Sequence, residues 1–346
     1  MFTLRSLLLS TLLPALLITG ALAAVLVAQD AATDTALPHD APLAAGEVAR
    51  VNGAAVPLPA FEQYVGATES RSELGQAIIR QAHDAWVVRV SAARANVVAT
   101  PERVNSVVAQ LEERAGSSLE AFRDNPEFEA HLTLLTQQVL LMQTQGVDDP
   151  LDPAAQSAWL ESQRAQHPLV PHPLSDDLAV SWPGGELTRA ELGATLLAQL
   201  PVEDRGELLS EFLGVLVLHA HAKKLGVELS TEAAAAELAE REALVAHNVS
   251  TAGLTYEQII EQTQGLSLEE LVASPRFSAE VLLREMVDLS WDDEQLEALF
   301  ERERALFVER YGEDVDFAGA RHGVLQEVRR RSYQNLMAES KIVRRY

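Results

Sequence analysis

Two stretches decide the reading of this chain: ARVNGAAVPLPAF, Ala49 to Phe61, and VSWPGGELTRAEL, Val180 to Leu192. Each has a short extended run, then Gly, an apolar residue, a turn and a helix start. Val51 falls on Trp182, Val56 on Leu187 and Phe61 on Leu192. The register continues outward. WVVRVSAARANVVATPE, Trp86 to Glu102, lies over LVLHAHAKKLGVELSTE, Leu216 to Glu232. Arg94 and Lys224 fall where cations suit the last turn of a helix. Asn96 and Gly226 are residue types that accept a left-handed position after a helix. Thr100 and Ser230 are N-caps for the next helix, with Pro101 at its first position.

A third block places LEAFRDNPEF, Leu119 to Phe128, over LEELVASPRF, Leu268 to Phe277. Asn125-Pro126 and Ser274-Pro275 are equivalent helix breaks or starts. Ser267 to Glu270 is a capping box, and Ser117 to Glu120 is its counterpart. DPAAQSAWLESQRA from Asp152 matches DDEQLEALFERERA from Asp292, with an insertion in the second copy around Val245 to Gly265. Four blocks in order mean an internal duplication. The expected layout is 47–170 for the first helical module and 171–346 for the second. Between them lies the Pro-rich stretch His167 to Asp177, expected to be extended and stiff.

Glu207 to Leu225 is the most apolar helix, with Leu209, Phe212, Leu213, Leu216, Val217 and Ala220 covering most of its circumference, so it is central to its module. Val48 to Val51 reads as a short strand, and the chain ends on a second apolar run, Lys341 to Val343, after a long helix from Phe317 to Ser340. Isolated strands need partners. Pairing these two ties the C-terminal helix back to the first module. The fold class is mainly α, with short terminal strands.

Composition narrows the function. The 346 residues hold 27 Lys and Arg against 51 Asp and Glu, a net charge of −24, which argues against nucleic acid as a partner and against docking on an anionic membrane surface. There is no Cys, so thiolate chemistry and disulfides are excluded. Arg5, then an uncharged apolar run from Leu7 to Ala28 with Ala21-Leu22-Ala23, reads as a signal peptide or an uncleaved anchor at 1–28. Residues 29–46 read as a disordered linker. The expected location is the periplasm or cell envelope, with the inner membrane as the alternative to cleavage.

Chemistry-bearing motifs are few. His219 and His221 stand two apart on a helix, so they face apart and do not chelate together. His167 and His172 read as solvated linker residues. Gly184-Gly185 is a turn between strand and helix. Asn248-Val249-Ser250 fits a glycosylation sequon by pattern alone. Arg329 to Arg331 is the one basic cluster, read as a solvated face, with a patch for acidic partners as the alternative. No catalytic set, metal site or cofactor fingerprint is expected.

VARVNGAAVPLPAF and GGELTRAEL resemble the opening motif of the SurA/PrsA type of exported chaperone. HAHAKKLGVELSTEAAAAELAE, His219 to Glu240, is similar to that family's next signature, and WDDEQLEALFERERALF to a later one. The resemblance covers Glu47 to Tyr346. It implies SurA-N-like helical lobes that hold unfolded client polypeptides by shallow apolar surface. Many relatives also carry a parvulin domain with peptidyl-prolyl isomerase activity. Here only Val308 to Asp316 stands where that domain would be. Arg321-His322 is similar to the parvulin opening, but the residues after it are helical and end the chain. The resemblance therefore implies a non-catalytic holding function, with isomerase and cell-envelope scaffold as the alternatives.

Overall fold

The computed structural model describes residues 42–122, 124–174, 176–247 and 253–346. The expected signal or anchor at 1–28, most of the 29–46 linker and the Asn248–Ser250 sequon lie outside the described residues. The chain is mainly α-helical. Against the expected inner-membrane anchor stands only that, among the described residues, no helix is long and apolar enough to cross a membrane. The long apolar helix Val202–Leu225 is an example. It carries Glu203, Asp204, Glu207, Glu211, Lys223 and Lys224, and such charges are costly in hydrocarbon.

In the first repeat, β1 (Glu47–Val51) and β2 (Ala54–Pro57) form a hairpin, followed by α1 (Leu58–Thr68), α2 (Glu73–Ala95), α3 (Pro101–Ala115), α4 (Pro126–Thr144), α5 (Pro153–Arg164) and a two-residue strand β3 (Val170–Pro171). The second repeat runs β4 (Leu178–Trp182), β5 (Gly185–Thr188), α6 (Arg189–Gln199), α7 (Val202–Leu225) and α8 (Thr231–His247). It continues through α9 (Tyr256–Gln264), α10 (Leu268–Ala273), α11 (Pro275–Ser290), α12 (Asp293–Arg302), α13 (Arg304–Tyr311), α14 (Phe317–Glu339) and β6 (Ile342–Arg344).

Local physics fixes the ends of these elements. Asn96 (φ 53) and Gly226 (φ 69) take the left-handed position after α2 and α7. Ser230 caps α8 through Ala233 N at 3.0 Å. Ser267 and Glu270 form the expected capping box. Its counterpart does not form. Glu112 reaches across to take Leu119 N at 2.7 Å, so Glu120–Phe122 closes only a single 3-10 turn. The insertion of the second repeat is no bare loop, because α9 buries Tyr256 and Ile260 against Leu271 and Phe277.

The two sheets reveal how the repeats are used. One has the order β2-β1-β6 and the other β3-β4-β5. In each, the first hairpin strand takes a third, antiparallel strand from the end of the other repeat: Arg50 opposes Val343, and Val170 opposes Ser181. The first sheet realises the expected pairing of the chain's two outer strands. The second is its repeat-equivalent.

Contacts divide the chain into two compact units that interleave along the sequence. The smaller holds Gln76–His172 and Val180–Leu187, which is the helical body of the first repeat with the hairpin of the second. The larger holds the described residues up to Gly75, Pro173–Ala179 and Thr188–Tyr346, which is the helical body of the second repeat with the hairpin and α1 of the first. The hairpins are exchanged.

Within the larger unit, α1 and α6 pack backbone to backbone. Gly66 lies under the carbonyl of Arg189, and Gly193 under the carbonyl of Glu62, too close for any side chain at either glycine. Phe61 falls on Leu192 in the repeat, so Glu62 and Gly193 are equivalent positions. Equivalent residues meeting is what a local two-fold axis between two helices requires. Phe61 of α1 stacks on Phe212 of α7 at 5.7 Å and Tyr64 meets it tilted at 4.8 Å, burying the apolar helix as its sequence demands. Below, Val287, Phe300, Phe307, Val324 and Val328 close the core around α14.

The buried Arg50 of β1 pairs with Glu47 at 2.5 Å and donates to Pro42 O at 3.3 Å. Glu47 also accepts from Ala44 N at 2.7 Å. Residues 42–46, expected as the end of a linker, are thereby folded onto β1. Farther along, Arg189, 1% exposed, donates to the carbonyls of Pro173 and Asp176 and so holds the Pro-rich connection in place.

Candidate functional sites

Three places have the ingredients of a site. The first is a cleft of about 690 Å³ in the larger unit, lined by Glu240 of α8, Arg284 and Asp288 of α11, Trp291, and Arg321, His322 and Arg329 of α14. His322 Nδ1 stands 3.0 Å from Glu240 Oε1, and Arg329 and Arg284 reach Glu240 Oε2 at 3.3 Å. Burial pushes the Glu240 carboxyl up, but His322, Arg329 and Arg284 outweigh it and hold its pKa at about 2. A carboxylate so strongly ionised is a poor general base at neutral pH. Arg321 in turn binds Asp293 at 2.7 Å. The charges of this cleft are spent on one another, and its ion pairs link α8 and α11 to α14.

The pH dependence of this cluster has a definite sign. Glu240 has its ordinary pKa, 4.5, in the unfolded chain and about 2 in the fold. Its contribution is therefore fully present above about pH 4.5 and is lost as pH falls toward about 2. We expect Glu240→Gln to cost on the order of 2 kcal/mol at neutral pH and to flatten the acid limb of stability in that window. Urea denaturation at about pH 7 and about pH 3 checks this, since equal losses at the two values would contradict the linkage.

The basic cluster begins at this cleft, and the solvated face expected of it is corrected at Arg329, which is buried, while Arg330 and Arg331 are half-buried. Arg329 pairs with Glu240 and Glu237, Arg330 with Glu327 at 2.5 Å, and Arg331 with Glu303 and with Glu327 at 2.6 Å. Each guanidinium is committed to carboxylates of its own chain. Residues 308–316, where a parvulin domain would stand, form the end of α13 and a short connection to α14.

The second place is in the smaller unit, where His83 and Trp86 of α2, His167 after α5, and Trp182 of β4 meet. Ring centroids are 5.1 Å apart for His83–Trp182, 5.0 Å for Trp86–His167 and 5.9 Å for Trp86–Trp182. His167 is buried, contrary to the solvated linker residue expected from its Pro-rich surroundings, because the edge of the Trp86 ring covers it. His172 is half-buried, 2.8 Å from Ser181 Oγ. The Gly184-Gly185 turn fits here for a steric reason. Trp86 Nε1 donates to Gly184 O at 3.2 Å, and a side chain at Gly185 would collide with the Trp182 ring. Sequence reading missed His83, and its only signal was the three-residue spacing of His83 and Trp86 on a helix that buries Val87 and Val88.

The third is exposed apolar surface. At the corner after α2, Val98 is exposed. At the equivalent corner after α7, Leu225 and Leu229 are exposed. Phe122, 55% exposed, leans on Phe128 at 5.6 Å, and Leu289 is 72% exposed.

His219 and His221 do not converge on a site. His219 lies on α7 with its Nε2 buried and without a hydrogen-bond partner, and burial lowers its pKa to about 4. Among the described residues no three His, Asp or Glu side chains are arranged to hold a metal ion. Searches of family models, curated proteins and solved structures find no match to this chain.

Proposed function

We propose that the chain holds unfolded or partly folded polypeptides without catalysing a reaction on them. The observation that carries this reading is exposed apolar side chains around the end of the equivalent helix in each repeat, Val98 in one and Leu225 with Leu229 in the other, at positions the register does not match one to one. Solvated apolar groups in both repeats give one chain two weak contacts for an extended client, and two weak contacts joined covalently gain by effective concentration. The net charge of −24 keeps such a surface soluble. The motif resemblance to SurA/PrsA chaperones points the same way, and SurA-N-like modules are the family form this reading implies.

The test is light scattering of a denatured protein diluted into buffer with and without the chain, alongside a proline-limited refolding assay. Stoichiometric chain suppresses scattering and leaves the slow refolding phase, tens to hundreds of seconds, unchanged. The double variant Val98→Ser, Leu229→Ser weakens suppression several-fold while its stability stays within about 0.5 kcal/mol, because both side chains are exposed. Undiminished aggregation at stoichiometric chain sinks the proposal. Accelerated refolding replaces it with an isomerase.

A further inference from the structure

The second repeat's hairpin, Val180–Leu187, belongs to the smaller unit, and two histidines, His83 and His167, lie among the indole rings that hold it there. His83 is 1% exposed, and neither of its ring nitrogens makes a well-formed hydrogen bond, although the His167 backbone stands close enough to favour the imidazolium. It is flanked by the Trp86 ring at 6.4 Å and the Trp182 ring at 5.1 Å. Trp182 is the residue through which the hairpin reaches it, and Trp182 Nε1 is itself buried without a partner. His167 Nδ1 is in the same state on the other side of Trp86. A neutral imidazole is tolerated between indoles. An imidazolium there needs a counter-charge or water.

We propose that His83, Trp86, His167 and Trp182 form an acid-sensitive latch, in which protonation of His83 releases the β4–β5 hairpin from the helices of the first repeat.

The groups that act most strongly on His83 come from the helical side. Asp84, its neighbour on α2, would favour the imidazolium, but both its oxygens are taken by Arg164 Nε and Nη2 of α5, each at 2.6 Å. Arg164 and His167 oppose protonation. On the hairpin, Glu186 points to solvent. Burial, ahead of these charges, lowers the His83 pKa, and the pull of Asp84 and of the His167 backbone does not offset it. A histidine whose pKa is lower in the fold than in the open state stabilises the closed form fully above the ordinary value of 6.5, and this support is lost as pH falls below it. The window lies above that in which Glu240 titrates. The chain already carries the exchanged hairpin as a separate two-stranded element, so release requires no other strand pairing than β3 on β4 to break. The latch stands whether or not the chain holds unfolded polypeptides.

The experiment is hydrogen exchange by mass spectrometry on the full chain at about pH 7.5 and about pH 5, corrected for intrinsic exchange, with tryptophan fluorescence alongside. In the wild type, protection across 178–188 and the facing turn of α2 falls at least about tenfold on acidification. In His83→Phe, which keeps a ring between the indoles and cannot be protonated, protection is the same at both values. His83→Leu serves as a second non-titrating variant should the phenyl ring misfit. Unchanged wild-type protection between the two pH values overturns the proposal. So does a transition of equal size in a folded variant that lacks the imidazole.

Discussion

Gly193→Val is expected to lower the thermal midpoint of the chain by roughly 10 °C. The cause is the crossing of α1 and α6. A Cβ at position 193 would overlap the Glu62 carbonyl and lie 2.9 Å from Gly66 N, and both of these are backbone. No side-chain tip can swing away, so the helices themselves must separate. The separation also unstacks Phe61 and Tyr64 from Phe212. Overpacking that moves backbone sits at the upper end of its usual cost, about 3 kcal/mol or more. Gly66→Ala probes the other half of the same crossing and moves in the same direction, since its Cβ would overlap Arg189 O. Gly206→Ala is the control. Nothing lies near a Cβ there, and the residue is in the first turns of α7, so alanine adds about 0.5–1 kcal/mol by helix propensity and reduced unfolded-state freedom. Calorimetry of the three variants decides. A Gly193→Val midpoint equal to wild type would mean that the two helices do not meet at backbone contact.

This crossing marks the limit of what the sequence made legible. The duplication was readable because capping and turn chemistry is local: Asn96 and Gly226, Ser230 and Ser267 each act on backbone groups a few residues away, and each sits where the repeat puts it. The helical class and the central place of α7 come from the period of its apolar residues. The failure of the Ser117–Glu120 box came from Glu112, a competitor one helix upstream that no capping pattern includes. The exchange of hairpins was half legible. The short runs Val48 to Val51 and Lys341 to Val343 had to pair with something, and they pair with each other. That Val170-Pro171 does the same for the second hairpin was hidden, because two residues carry no alternation to read.

The candidate sites were less legible than the fold, for a different reason. Charge in a sequence has no partner attached. Arg329-Arg330-Arg331 looks like a basic patch until Glu240, Glu303 and Glu327 are placed around it, and two of these lie far away in the chain. His167 looks solvated among prolines until Trp86, eighty-one positions earlier, is laid across it. The exposed corners were written in the sequence as apolar residues just past a helix stop, where the turn itself leaves nothing to bury them.

Trp182→Ala is expected to unfold the wrong repeat. Trp182 belongs to the second copy by sequence, yet its ring is buried against His83 and Trp86 of the first. Truncating a buried tryptophan costs about 3–5 kcal/mol through lost transfer energy and the cavity left behind. That cost falls on the smaller unit, whose other cores are modest: Val88, Ala92, Leu141, Met142 and Trp159 in one cluster, Val104, Val108 and Leu132 in another. Against a typical domain stability of about 5–15 kcal/mol, the loss is enough to raise local opening by two to three orders of magnitude. Hydrogen exchange therefore speeds up along α2 to α5, residues 76–164. It stays near wild type along α11 and α14, although these come after Trp182 in the same repeat. If instead each repeat were its own folding unit, the same substitution would loosen 188–346 and spare 76–164. Exchange rates in those two spans separate the exchanged arrangement from the consecutive one, and they do so through a residue whose place in the sequence argues for the opposite result.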